Sequence, residues 1–148
     1  MLLPLEHRDK ETAQQILEVQ RPAYEVEANL IGFWDIPPLK DNVETIMNTN
    51  EVFLGHMEGT SLAGFISFKE SREEVDIHRL VVHPRFFKRG IGKRLLTALI
   101  KRAGGRVIKV STGAENMPAL ALYKNQGFTV AHVREVVPGL TLAFLEKW

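Results

Sequence analysis

No cysteine occurs among the 148 residues of the chain. Disulfides, thiolate zinc sites and a cysteine nucleophile are thereby excluded. An excess of either charge is lacking too. Nineteen Lys and Arg against 18 Asp and Glu leave a formal net charge of +1, so the total asks for neither nucleic acid nor an anionic membrane as partner. No apolar run approaches the roughly 20 residues that a spanning helix needs. The start, Met1-Leu2-Leu3-Pro4-Leu5-Glu6, has neither the basic opening nor the long apolar core of a secretion signal. Internal repeats and low-complexity tracts are missing. A soluble, cytoplasmic protein is expected. With 45% apolar and 25% charged residues, residues 1–148 suffice for one domain with a sizeable core and are too few for two.

The basic charge that is present is local. It gathers in His83-Pro84-Arg85-Phe86-Phe87-Lys88-Arg89-Gly90-Ile91-Gly92-Lys93-Arg94, which fits a small polyanionic ligand better than a long one. The preceding Val75–Val82 is rich in β-branched residues and stops at a proline, the pattern of a strand. Beyond it, Ile91, Leu95, Leu96, Leu99 and Ile100 recur at helical spacing. Strand, short glycine loop and helix together aim backbone N–H groups and the positive end of a helix dipole at one spot, as phosphate sites do. A Walker loop does not fit, because Phe87 stands where its first glycine is required and Arg94 where Ser or Thr is required. A dinucleotide fingerprint does not fit either, since Leu95 replaces its third glycine and the later acidic residue is missing.

Taken in order, residues 1–5 read as an edge strand, with Pro4 tolerable only at an edge. Asp9 caps a helix whose Ala13, Ile16, Leu17 and Gln20 face inward, and Arg21-Pro22 is expected to end it. From Ala23 to Lys40, aromatics, acids and prolines mix, and little regular structure is expected. Asp41 opens a helix through Met47. Residues 51–57 and 62–69 pair as a hairpin around Glu58-Gly59-Thr60-Ser61. Strand 75–82, helix 90–103, a strand at 107–110, a helix at 117–125 behind the N-cap Asn116, and a last hairpin around Pro138-Gly139 complete the chain. The order β-α-α-β-β-β-α-β-α-β-β is that of a mixed α/β (α+β) layer fold around a largely antiparallel sheet.

Leu80-Val81-Val82-His83-Pro84 and the run to Arg89-Gly90-Ile91-Gly92 resemble motif A of the GNAT family of acyl-CoA N-acyltransferases. Asn116-Met117-Pro118-Ala119-Leu120-Ala121-Leu122-Tyr123-Lys124-Asn125-Gln126-Gly127-Phe128 is similar to its motif B. The two occur in the family's order and touch residues 75 to 130. The resemblance implies the GNAT fold, about seven strands flanked by about four helices, and acetyl-CoA as cosubstrate with no metal. It places the CoA pyrophosphate on the N–H groups of Phe87, Lys88, Arg89, Gly90, Ile91, Gly92 and Lys93. It places the pantetheine arm along Leu80, Val81 and Val82, hydrogen-bonded by Asn116. Phe87 departs from the family's usual Gln or Arg. Its part is expected to be carried by its backbone N–H.

Acyl transfer to an amine also needs a base and a proton for the leaving thiolate. Tyr123 occupies the position of the family's general acid, and a phenol of pKa about 10 suits a thiol of about 8.5. Asp76 lies on the strand where some members carry a catalytic glutamate. His78 shares its face at a spacing of two and has a suitable reference pKa; Asp76 could instead pair with Arg79 or Arg72. Tyr24, Glu27, Phe33 and Trp34 supply aromatic walls and an acid for a cationic or aromatic amine. A metal set of Asp76, His78 and His83 is disfavoured, because alternation turns His78 and His83 apart. The expected activity is acetyl transfer to a small-molecule primary amine in a ternary complex. Alternatives are acetylation of a protein lysine or N-terminus, and a non-catalytic acyl-CoA sensor. The family resemblance also raises a homodimer through the last strands, without nucleic acid or membrane as partners.

Overall fold

Helix packing on both faces of one sheet organises the chain, which a computed structural model describes over residues 2–148. The elements are β1 (Leu2–Leu5), α1 (Lys10–Ile31), a 3₁₀ turn (Pro37–Lys40), α2 (Val43–Met47), β2 (Val52–Glu58), β3 (Ser61–Glu70) and β4 (Glu74–Val82). A second 3₁₀ turn (Pro84–Phe86), α3 (Ile91–Ala103), β5 (Val107–Gly113), α4 (Met117–Asn125), β6 (Thr129–Val137) and β7 (Leu140–Lys147) follow. The seven strands lie in the order β1-β2-β3-β4-β5-β7-β6. Every neighbouring pair is antiparallel except β4 and β5. This is the mixed, largely antiparallel arrangement the sequence implied.

The amphipathic stripe of α3 explains one face. Ile91, Leu95, Leu96 and Leu99 are buried against Val75, Ile77 and Ile108 of the sheet, each contributing about 1.5–3 kcal/mol by its burial. On the other face Ala13, Ile16 and Val19 of α1 and Ile46 of α2 meet Phe53, Phe65 and Val81.

Two local features differ from expectation. Helix α1 does not end at Pro22 but runs through it to Ile31, and Gly32 closes it in the left-handed conformation at φ 67°. A proline inside a helix costs about 3 kcal/mol or more. Tertiary burial offsets it here, because the inward positions Ala13, Ile16 and Gln20 continue at helical spacing through Tyr24, Glu27, Ala28 and Ile31. Tyr24 and Glu27 are therefore helical neighbours and not loop residues. The second helix is capped by Asn42, not Asp41: its side chain accepts from the Thr45 N–H while the Thr45 hydroxyl accepts from the Asn42 N–H.

Strand β4 carries a bulge. Ser67 pairs with Arg79 and Phe68 with Ile77, which leaves His78 as the extra residue. Before it Val75 and Ile77 belong to the α3-side core. After it Leu80 and Val82 pack on that side, and Val81 joins the α1-side core. Parallel pairing with β5 covers only Glu74, Val75 and Asp76. From Ile77 onward the two strands part.

Gly64 lies opposite Val82 on β3, where an added Cβ would come within 2.7 Å of the Val81 carbonyl oxygen. Gly64→Ala should therefore cost about 1–3 kcal/mol, read as a lower midpoint in urea. An unchanged midpoint would mean that β3 and β4 can separate freely here.

Candidate active site

The parting of β4 from β5 opens a cleft with two chambers. The larger, about 570 Å³, runs from the β4 residues Leu80, Val81 and Val82 to the start of α3. Its size falls in the range of small-molecule sites. At its far end the chain makes a nest. Lys88 and Gly90 both take positive φ, 63° and 75°, and Arg94 is the first residue to close a turn of α3, donating to the Gly90 carbonyl at 3.0 Å. The N–H groups of the helix's first turn are left over, as at any helix start, at the end of the chamber that Lys88, Gly90, Ile91, Gly92 and Lys93 line.

The smaller chamber, about 220 Å³, lies toward β5, β7 and the Pro37–Lys40 turn. Ile36, Pro37, Val110, Leu140 and Leu142 form the apolar part of its wall, with His78 and Arg79 at its β4 side and Ser111 and Thr112 on β5. The two chambers share Tyr24, Glu27, Leu80, Asn116, Ala119 and Tyr123. The chain has two tyrosines, and both stand at this junction.

Glu27 is the junction's carboxyl. Asn116 Nδ2 donates to its Oε1 at 3.1 Å and Thr112 Oγ1 to the same atom at 3.4 Å. Oε2 receives no hydrogen bond from the described residues. Burial pushes the Glu27 pKa up, and the bonds from Asn116 and Thr112 only partly oppose it. Tyr123, on the buried face of α4, sets its ring edge-on to Phe128, centroids 5.3 Å apart. Burial, then the nearby Glu27 charge, raises its pKa, so the phenol keeps its proton. Tyr24 is raised by the same two causes in the same order.

The model of the Acetyltransferase (GNAT) family matches residues 13–128. N-alpha-acetyltransferase RimI of Mycobacterium tuberculosis is 34% identical over 116 residues, 75% of this chain and 72% of that protein. The chain belongs to the GNAT acetyltransferase family. UPF0157 protein YqkA of Bacillus subtilis is 39% identical over 140 residues, 94% of this chain, and the chain spans 41% of that protein's length. The same fold is seen in PaiA N-acetyltransferase from Thermoplasma acidophilum, solved with coenzyme A, at TM-score 0.75 and 20% identity over 99% of this chain and 98% of that one. The Escherichia coli ribosomal-protein-S18-alanine N-acetyltransferase gives 0.78 and 17% over 99% and 92%.

In this member of the GNAT family the structure brings together most of the residues the motifs single out. Leu80, Val81, Val82, Phe87, Lys88, Gly90, Ile91, Gly92, Lys93, Asn116 and Tyr123 all line the larger chamber. Two expectations need correction. The Phe87 N–H is not free for an anion: it donates to the Pro84 carbonyl at 3.2 Å, so the run of available N–H groups begins at Lys88. The Arg89 guanidinium lies over the Phe86 ring at 5.3 Å and lines a groove on the other side of α3, leaving only its backbone near the nest.

Asp76 and His78 do share a face and pair at 3.4 Å. His78 reaches the smaller chamber, whereas Asp76, with 54% of its side chain exposed, lies where β4 and β5 still pair and lines neither chamber. Arg79 pairs with Asp41 and Glu51, not with Asp76. Of the expected acceptor residues, Tyr24 and Glu27 line the cleft. Phe33 packs with Leu140 and Ala28, Trp34 is 54% exposed, and neither lines it. Thr112 was missed in sequence, although it follows Ile108 and Val110 at the spacing of an inward face.

Because burial raises its pKa, ionising Glu27 costs the folded state free energy. That cost enters as pH rises through the carboxylate range and persists above it. Glu27→Gln keeps an oxygen for Asn116 and Thr112 and removes the charge. Its melting temperature should match or exceed wild type at neutral pH, with the difference growing in its favour between about pH 4 and 7. A less stable variant would mean that hydrogen bonds to the ionised carboxylate outweigh its burial.

Proposed function

We propose that residues 1–148 act as one unit that moves an acetyl group from acetyl-CoA to a primary amine by direct attack in a ternary complex. The observation that carries this reading is the meeting of the two chambers at Glu27 and Tyr123, with the N–H nest at the far end of the larger one. The nest from Lys88 to Lys93 takes the pyrophosphate. The open edge of β4 at Leu80–Val82 takes the pantetheine arm by backbone hydrogen bonds, and Asn116 stands beside it. The thioester carbonyl then lies at the junction, and the acceptor amine enters from the smaller chamber.

The chemistry follows from the groups present. The acceptor arrives as an ammonium ion, of which roughly one in a thousand is neutral near pH 7.4 for a lysine-like pKa. Glu27 Oε2 accepts its proton. The freed nitrogen attacks the carbonyl carbon, the N–C bond forms, and the C–S bond breaks with its electron pair on sulfur. The nitrogen gives up its second proton, the thiolate takes up one, and one proton is released overall. Tyr123 donates a hydrogen bond to the developing thiolate. With its pKa raised, it serves better as a donor that stays protonated than as an acid that dissociates. Glu27 replaces Asp76 and His78 as the preferred base because it stands at the junction with one oxygen free. A protein N-terminus as acceptor is a second reading, favoured by the likeness to a relative named an N-alpha-acetyltransferase.

Glu27→Gln should lower kcat by about 10²–10⁴-fold. The wild-type kcat/KM should rise with pH through a Glu27 pKa lying above the ordinary carboxylate value. Turnover unchanged in the variant would remove Glu27 from the mechanism. Tyr123→Phe should lower kcat with little change in acetyl-CoA affinity. A Cβ at Gly90 meets nothing within 4 Å, but φ at 75° strains any side chain there, so Gly90→Val should abolish the thermal stabilisation that acetyl-CoA gives. For wild type at a hundred times its Kd, that stabilisation is about 2.7 kcal/mol. An undiminished shift in the Gly90 variant would place the cofactor elsewhere.

A further inference from the structure

The smaller chamber carries a buried polar cluster that acetyl transfer itself does not use. Arg79 Nη2 lies 3.4 Å from Asp41 Oδ2 and 3.6 Å from Glu51 Oε2. Those carboxylates are otherwise engaged. Asp41 Oδ2 accepts from Gln20 at 2.7 Å and Oδ1 from Thr45 at 3.1 Å. Glu51 Oε1 accepts from Ser67 at 2.6 Å, and Oε2 faces His78 Nδ1 at 3.8 Å. Neither Asp41 nor Glu51 lines the chamber. Arg79 Nη1, by contrast, is buried with no partner among the described residues. Arg79 lines the chamber, and its charge acts on Tyr24 at the junction. Arg79 in the chamber wall thus carries a buried donor without a partner, and Glu27 a carboxylate oxygen, Oε2, that accepts no hydrogen bond.

We infer that the acceptor is a primary amine whose substituent is uncharged and carries a carbonyl oxygen close to the amine, as in an amino-acid amide or a peptide N-terminus, and that Arg79 selects it. This rests on the acetyl-transfer reading above. Glu27 takes the reacting ammonium. A second ammonium on the same molecule would be buried against Arg79 without a free carboxylate, which is costly. A carbonyl oxygen gives Arg79 Nη1 the partner it lacks. Sites built to hydrogen-bond one group reject analogues that cannot supply it far more strongly than apolar pockets do.

The test follows thiol release from acetyl-CoA with glycinamide, propylamine, 1,3-diaminopropane and a glycine-initiated peptide, using wild type, Arg79→Lys and Arg79→Gln. Wild type should favour glycinamide over 1,3-diaminopropane by about tenfold or more in kcat/KM, with propylamine between. Arg79→Lys should keep that order. Arg79→Gln should lose it, through KM for glycinamide and through readier use of the diamine, which can pair with Asp41 and Glu51 in place of the guanidinium. Should Arg79→Gln fail to fold, the wild-type order and its retention by Arg79→Lys carry the result. Preference for the peptide over glycinamide assigns a polypeptide N-terminus; the reverse assigns a small amine. Equal or better use of the diamine by wild type overturns the inference. Thiol release with none of the four, while acetyl-CoA still raises the melting temperature, also overturns it but leaves cofactor binding standing. No shift with acetyl-CoA overturns the acetyl-transfer reading itself.

Discussion

After Asp76 and Lys109, β4 and β5 stop sharing a ladder, and everything at the candidate site depends on that interruption. A continuous parallel pair would satisfy the backbone of both strands and leave no cleft. The bulge at His78 accompanies the break, switching Leu80 and Val82 to the face that Ile77 held before it. At the opening, side chains bridge α1 to β5 and to the start of α4. Glu27 of α1 is held by Thr112 of β5 and by Asn116 at the cap of α4.

That bridge also fixes the electrostatics. A carboxyl drawn from solvent resists ionisation, and the donors on Oε1 restore part of what burial removes. Two phenols beside it are pushed the same way, each first by its own burial and then by the Glu27 charge. Placing proton-accepting and proton-donating groups together in a partly dry junction separates their tasks, since the carboxyl titrates far below the phenols. The neighbouring Arg79 cluster follows another rule. There the Arg79 guanidinium stands between two carboxylates at 3.4 and 3.6 Å, and its Nη1 is left without a partner.

Much of this was legible in the chain. Glycines at 90 and 92 after a β-branched strand ended by a proline, with basic residues around them, marked the tight loop that opens α3. Asn116 and Tyr123 were readable from the second motif. Phe87 misled, because the 3₁₀ turn that follows Pro84 consumes its N–H, a local hydrogen bond that residue identity does not reveal. Pro22 misled more. The local rule that proline ends a helix is sound for an isolated segment, but here a continuous inward stripe outweighs it and turns an expected loop into the helix that carries Glu27.

What the sequence by itself determined is the element order and the two motifs, because periodicity, caps and glycine positions are local properties of the chain. Only the tertiary structure decided which ionisable groups meet. Glu27 and Asn116 lie 89 residues apart and Asp41, in the link before α2, meets Arg79 of β4, so no spacing rule connects them. Asp76 and His78, adjacent on one strand face, end differently, since the ladder to β5 closes over the first and opens at the second. Long-range packing sets which carboxyl is buried, which is free and which is spent on a neighbour, and those are the differences on which the chemistry turns.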